Sequence, residues 1–154
     1  MLGRVNAGKS SFLNLIAGQE VSIASDVAGT TTDVVEKTQE LLPLGPVVWL
    51  DTAGFGDETV LAAERLAKTR RVLDRADVAV LVCEGGKIGA EEKEIVREVE
   101  ARKLPLIKVY NKCDLYGCPE DGIKVVSTDR GSRDRVLNEL KAALIKVCLL
   151  YTSP

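Results

Sequence analysis

Residues Gly3-Arg4-Val5-Asn6-Ala7-Gly8-Lys9-Ser10 spell G-x-x-x-x-G-K-[ST] in full. Few octets constrain a fold as tightly. The glycines let the backbone close on an anion, successive N–H groups face its oxygens, and the next helix aims its positive N-terminus at the same point. Such a loop belongs between a buried strand and a helix. Gly3, Asn6, Ala7, Gly8, Lys9, Ser10 and Ser11 are therefore candidate ligands of a nucleoside polyphosphate. Lys9 would reach the β- and γ-phosphates, and the Ser10 hydroxyl would ligate Mg²⁺. The bland alternative is a glycine-rich helix start. Only Met1 and Leu2 precede Gly3, so the strand feeding the loop is expected to be truncated.

The rest of the chain alternates strand-like and helix-like segments, as an α/β layered fold does. Helical spacing covers Lys9 to Ala17, with Gly18 as a stop, and Val60 to Leu73. Ile88, Glu92, Ile95, Val96 and Val99 share one helix side, and all but Glu92 are expected to form its buried stripe. Val136, Leu137, Leu140 and Leu144 give the closing helix its apolar face. Strands are expected at Val34 to Leu42, Pro46 to Leu50, Val78 to Cys83, Leu106 to Tyr110 and Lys124 to Ser127. The expected architecture is a three-layer sandwich: a mostly parallel sheet with helices on both faces. Residues 1–147 form one domain, and 148–154 continue no pattern and read as a tail foreign to it.

Composition narrows the chemistry. The chain has 154 residues, 45% hydrophobic and 29% charged, enough for one domain with a real core. The formal net charge of -2 gives no footprint for nucleic acid or an anionic membrane. No apolar run is long enough to span a bilayer and no signal peptide is visible, so a cytoplasmic location is expected. Histidine is absent, which removes the commonest general base. Cys83, Cys113, Cys118 and Cys148 include no Cys-x-x-Cys pair and are expected to be reduced thiols, not metal ligands.

Three further loops complete a nucleotide reading. Val47-Val48-Trp49-Leu50-Asp51 is an apolar run ending in a carboxylate suited to Mg²⁺, and Gly54 in Asp51-Thr52-Ala53-Gly54 would offer its N–H to a γ-phosphate. In Gly29-Thr30-Thr31-Thr32-Asp33 a threonine, taken as Thr31, could ligate Mg²⁺ only while the γ-phosphate is present, which makes an order–disorder switch. Lys9, Thr31 and Gly54 are thus the candidate catalytic set. Asn111-Lys112-Cys113-Asp114 supplies a carboxylate that can accept from guanine N1–H and the exocyclic amine, which adenine cannot match. Lys112 would cover the base with its stem, and Ser127-Thr128 falls where a backbone contact to guanine O6 would lie. Each motif alone can be an ordinary solvated loop; their order along the chain makes GTP and GDP the expected ligands.

These motifs resemble the translation-factor-like GTPases of the Era and TrmE type, from Gly3 to about Leu144. Within that group Ser25 to Asp33, and Leu41 to Val48 running into Asp51 to Gly54, are similar to the HydF GTPases of [FeFe]-hydrogenase maturation. The resemblance implies a nucleotide switch with a dimerisation domain, an iron–sulfur domain and hydrogenase-maturation partners elsewhere in the protein. It also implies a helix after Asp114, for which this chain leaves only a short loop before Lys124. The cysteines here match no such cluster site. TrmE-like proteins place K⁺ beside the phosphates, which implies Asn6, Ser25, Thr30 and the Val27 carbonyl as its ligands; Asn6 reads equally well as a loop former. Phe55 stands where many GTPases have a water-orienting glutamine. Asp57, Glu58 and Glu64 are bases that nothing selects among. Competing readings are a tRNA-modification or ribosome-assembly GTPase and a non-catalytic GTP-binding module.

Overall fold

The computed structural model describes residues 2–3, 9–17, 22–23, 35–51 and 62–152. In chain order the elements are β1 (Leu2–Gly3), α1 (Lys9–Ala17), β2 (Ser22–Ile23), β3 (Val35–Leu41), β4 (Gly45–Asp51) and α2 (Ala62–Arg75). Then follow β5 (Ala79–Glu84), α3 (Ala90–Ala101), β6 (Leu106–Asn111), β7 (Ile123–Lys124), a 3-10 turn (Arg130–Ser132) and α4 (Arg133–Thr152).

β5 explains the layering. Its sequence Ala79-Val-Leu-Val-Cys is buried at every position, because alternate side chains enter two different cores. Val80 and Val82 meet Phe12 and Ile16 of α1 and Val136 and Leu140 of α4 in one core. Ala79, Leu81 and Cys83 meet Leu73 of α2 and Ile95 and Val99 of α3 in the other. Helices thus cover both faces, and the α/β sandwich read from the sequence is the observed architecture.

The strands run in two groups. β1, β5, β6 and β7 form a parallel sheet in that order, and β2, β3 and β4 form an antiparallel one. β1 pairs with β5 through Leu2↔Leu81 and Gly3↔Val82 alone. Beyond β1 lies a groove of about 560 Å³ whose lining includes Val47, Val48, Trp49, Val72, Val80 and Leu2.

Three expectations are revised. Glu92 is buried, only 5% exposed, because its carboxylate accepts from the Gly89 N–H at 2.9 Å and closes the start of α3. The last strand is Ile123–Lys124, not Lys124 to Ser127: beyond it the Ser127 N–H turns to a side chain of β6. α4 runs through Thr152. The cysteines are not all reduced: Cys113 and Cys118, their Cα atoms 5.7 Å apart, are joined in a disulfide. Turns after β6 fold the chain back on itself, which sequence spacing did not reveal. Cys83 is a buried thiol, which burial pushes up to about 11, and Cys148 is an exposed one. The segment between Asp114 and Lys124 contains no helix, as its length implied.

Candidate functional site

The parallel order of β1, β5, β6 and β7 brings Gly3, Glu84, Asn111 and the chain after Lys124 to one edge of the sheet. Carboxyl ends of parallel strands are where open α/β sheets bind ligands. In register, Gly3 pairs with Val82, and Glu84 pairs with Asn111. The start of the phosphate loop and the Asn-Lys-Cys-Asp segment therefore sit on strands that flank β5.

Asn111 is 2% exposed, and its amide oxygen accepts from the Lys112 N–H at 2.8 Å, the Ser127 N–H at 3.1 Å and the Ser127 hydroxyl at 2.9 Å. One side chain thus ties together two loops that are far apart in sequence. The ladder continues beside it: the Val125 N–H donates to the Tyr110 carbonyl at 2.7 Å, and the Cys113 N–H to the Val125 carbonyl at 3.2 Å. Sequence reasoning took Asn111 as a ligand of the nucleotide. Its oxygen here serves the loops that would read the base.

Lys112 has φ 59°, in the left-handed region that a side chain enters at a cost of about 1–2 kcal/mol. The Leu115 and Tyr116 N–H groups, each at 3.0 Å, donate to its carbonyl and stabilise that turn. Its ammonium lies 3.7 Å from Glu84. Glu84 is the residue sequence reasoning missed. Burial raises its pKa, but the Tyr116 hydroxyl, Lys112 and Lys87 outweigh burial and hold it below the usual carboxylate range. Lys87 lies 3.5 Å from Glu84 and 4.2 Å above the Tyr116 ring. Gly85 follows with φ 54°, and a Cβ there would stand 2.5 Å from Tyr116 Cβ. The only sequence signal was a Glu-Gly-Gly after an apolar strand, an ordinary strand ending.

Asp114, the proposed guanine acceptor, is exposed, as is Thr128, and Ser127 is half-buried between them. Lys9 begins α1 and is 6% exposed, while Ser11, two residues on, is exposed. The backbones of Ser10 and Asp51 lie in the first turn of α1 and at the end of β4. Asn6, Ala7, Gly8, Ser25, Val27, Thr30, Thr31, Gly54 and Phe55 lie outside the described residues, as do Gly18, Asp57 and Glu58.

The family model described as 50S ribosome-binding GTPase matches residues 1–112. The chain belongs to this GTPase family. It is 34% identical to the tRNA modification GTPase MnmE of Chromobacterium violaceum over 154 residues, covering 96% of this chain and 34% of that protein. It is 39% identical to MnmE of Laribacter hongkongensis over 135 residues, covering 82% and 29%, and 39% identical to GTPase Der of a Nitratiruptor species over 119, covering 75% and 26%. The chain thus spans about a third or less of these relatives. In fold it is similar to Era of Aquifex aeolicus in complex with GDP and AlF4⁻, with TM-score 0.64, 23% identity and coverage of 92% of this chain and 54% of that one. The G domain of the T. maritima FeoB iron transporter gives TM-score 0.60 at 19% identity, covering 94% and 93%.

Proposed function

We propose that this chain is the GTP-binding and GTP-hydrolysing domain of a larger nucleotide switch of the tRNA-modification type. The observation that supports it best is the Asn111–Ser127 bond set, which joins the Asn-Lys-Cys-Asp loop to the Ser-Thr loop at the same end of the parallel sheet as Gly3. Asp114 would accept from guanine N1–H and the exocyclic amine, with the Lys112 stem over the ring. Lys9 would hold the β- and γ-phosphates, and Gly54 N–H would face the γ-phosphate. The MnmE relatives favour tRNA modification over hydrogenase maturation. The likeness of Ser25 to Asp33 and Leu41 to Val48 to HydF supports that second reading. Deleting the gene separates the two: an altered tRNA nucleoside profile supports the first, and lost hydrogenase activity with unchanged tRNA supports the second.

Two cations fit the donors in the sequence. Ser10, Thr31 and Asp51 offer the hard oxygens that Mg²⁺ takes. Asn6, Ser25, Thr30 and the Val27 carbonyl offer neutral oxygens of the kind that suit K⁺. When bound, these ions supply positive charge against the charge that builds on the phosphates. Phe55 cannot orient water and the chain has no histidine, so its own residues contribute positioning more than acid–base chemistry.

Competitive binding of GTP, ATP and XTP tests the guanine reader. The parent should prefer GTP, and Asp114→Asn should shift preference toward XTP, whose acceptor replaces the amine; equal parent affinity for ATP and GTP rejects the reader. Single-turnover GTP hydrolysis tests the cation. KCl should outpace NaCl at equal ionic strength, and Asn6→Ala should remove most of that difference while GDP still binds. Identical rates in the two salts would remove K⁺ from the mechanism.

A further inference from the structure

We propose that Cys113 and Cys118 form a reversible dithiol–disulfide site whose state sets how tightly the base-reading loop holds a guanine nucleotide. This rests on the guanine reading of Asp114 given above.

The placement is specific. Cys113 stands between Lys112 and Asp114, inside the tetrapeptide that would meet the base, and the bridge closes a short ring from Cys113 to Cys118. The ring contains Asp114, and the groups that fix its far side belong to the turn after β5. The Gly86 N–H donates to the Gly117 carbonyl at 3.0 Å, and Tyr116 lies against Gly85. On the near side, Cys113 Sγ lies 3.0 Å from the Tyr110 carbonyl oxygen. The bridge therefore fastens the exposed Asp114 between the end of β6 and the β5 turn. Without it, Asp114 is held by backbone hydrogen bonds of a turn whose first residue is already left-handed.

The other two cysteines are chemically different. Cys83 is wholly buried and its thiol is pushed up to about 11, so it yields little thiolate. Cys148 is exposed on α4 and belongs to neither loop. Cys113 and Cys118 are both half-buried at the site edge, within reach of a small reagent.

The exchange balances with a low-molecular-weight disulfide, RSSR, as oxidant. One cysteine thiolate attacks RSSR, forming a mixed disulfide and releasing RS⁻. The second thiolate attacks the protein sulfur of that mixed disulfide, forming Cys113–Cys118 and releasing a second RS⁻. The two cysteine sulfurs lose two electrons and two protons; RSSR becomes two RSH.

Pre-organising Asp114 removes part of the ordering cost of binding. The oxidised form should bind GDP on the order of tenfold more tightly than the dithiol form. Linkage requires the reverse: GDP must make the bridge harder to reduce by the same factor. For a two-electron couple a tenfold change is about 30 mV.

The test uses this chain carrying Cys148→Ser, equilibrated in glutathione buffers, with thiol alkylation and mass measurement to count bridges. GDP and ATP affinities are measured in each state, and the redox midpoint is measured with and without GDP. The expected result is a bridge that forms in oxidised glutathione, tighter GDP binding in that state and a midpoint lowered by GDP. Cys118→Ser and Cys118→Ala should both give the weaker affinity at every redox setting. Failure of the bridge to form, or equal GDP affinity in both states, overturns the proposal. Absence of GDP binding in both states would instead overturn the guanine reading on which it rests.

Discussion

At the scale of single residues, the end of the sheet that carries Asn111, Lys112 and Asp114 depends on Gly85 having no side chain. Gly85 takes a left-handed φ of 54°, and Tyr116 Cβ occupies the space a side chain would need, 2.5 Å away. Tyr116 in turn lends its hydroxyl to Glu84, which faces Lys112. Gly85→Ala should therefore act along that whole chain of contacts. The left-handed strain and the overpacking each cost about 1–3 kcal/mol, and Tm should fall by several degrees. GDP should bind more weakly, because Lys112 and Asp114 share the turn that Tyr116 anchors. Calorimetry and GDP titration read the two effects. An unchanged Tm and affinity would mean that Tyr116 swings aside freely and positions nothing.

Among elements, the join between α1 and the β3–β4 hairpin shows why some of the fold was readable and some was not. The Gln39 amide donates to the Ile16 carbonyl at 2.8 Å, near the end of α1, and its oxygen accepts from the Trp49 indole at 3.0 Å. Arg133 from α4 also donates to Ile16, at 3.3 Å. Gln39 is 1% exposed. Gln39→Leu keeps the volume but leaves the indole N–H of a buried Trp49 without its acceptor. The expected loss is about 1–3 kcal/mol, read as a lower denaturation midpoint with an unchanged m-value; an unchanged midpoint would mean the indole finds another partner. Apolar periodicity placed α1 at its observed limits and located β3 to β6 within a residue or two, because burial repeats locally along each element. Gln39 and Glu92 escaped that reading, since a polar residue is buried only when its partner is near, and Gln39 finds one 23 positions away. The disulfide escaped for the same reason: bridging depends on a turn, not on spacing. The octet from Gly3 to Ser10 and Asn-Lys-Cys-Asp stand out as motifs, but Glu84 and Gly85, which lie against the second of them, carry no motif at all.

At the scale of the whole molecule, the sheet has a seam. β1 is two residues long and lies at the edge of the parallel sheet, while β4 lies at the edge of the antiparallel one. Between them runs the groove of about 560 Å³, walled by Val47, Trp49, Val72 and Val80, with Val48 still 52% exposed. Among the described residues each edge has no strand paired on that side, and Leu2 of β1 lines the groove. A strand of about 5–6 residues, alternating β-branched and aliphatic side chains and joined ahead of Gly3, would pair with β5 and fill this space. The same strand would anchor the start of the phosphate loop, since Gly3 is the residue on which that loop begins. The extended chain should therefore melt at higher temperature, and it should bind GDP more tightly because less of the loop's order has to be acquired on binding. An extension of equal length built on Gly and Ser, which neither fills the groove nor favours a strand, should give neither gain. If the chain as it stands melts as cooperatively, at the same Tm and with the same GDP affinity as the extended one, then the groove between β1 and β4 has no part in holding the segment that begins at Gly3.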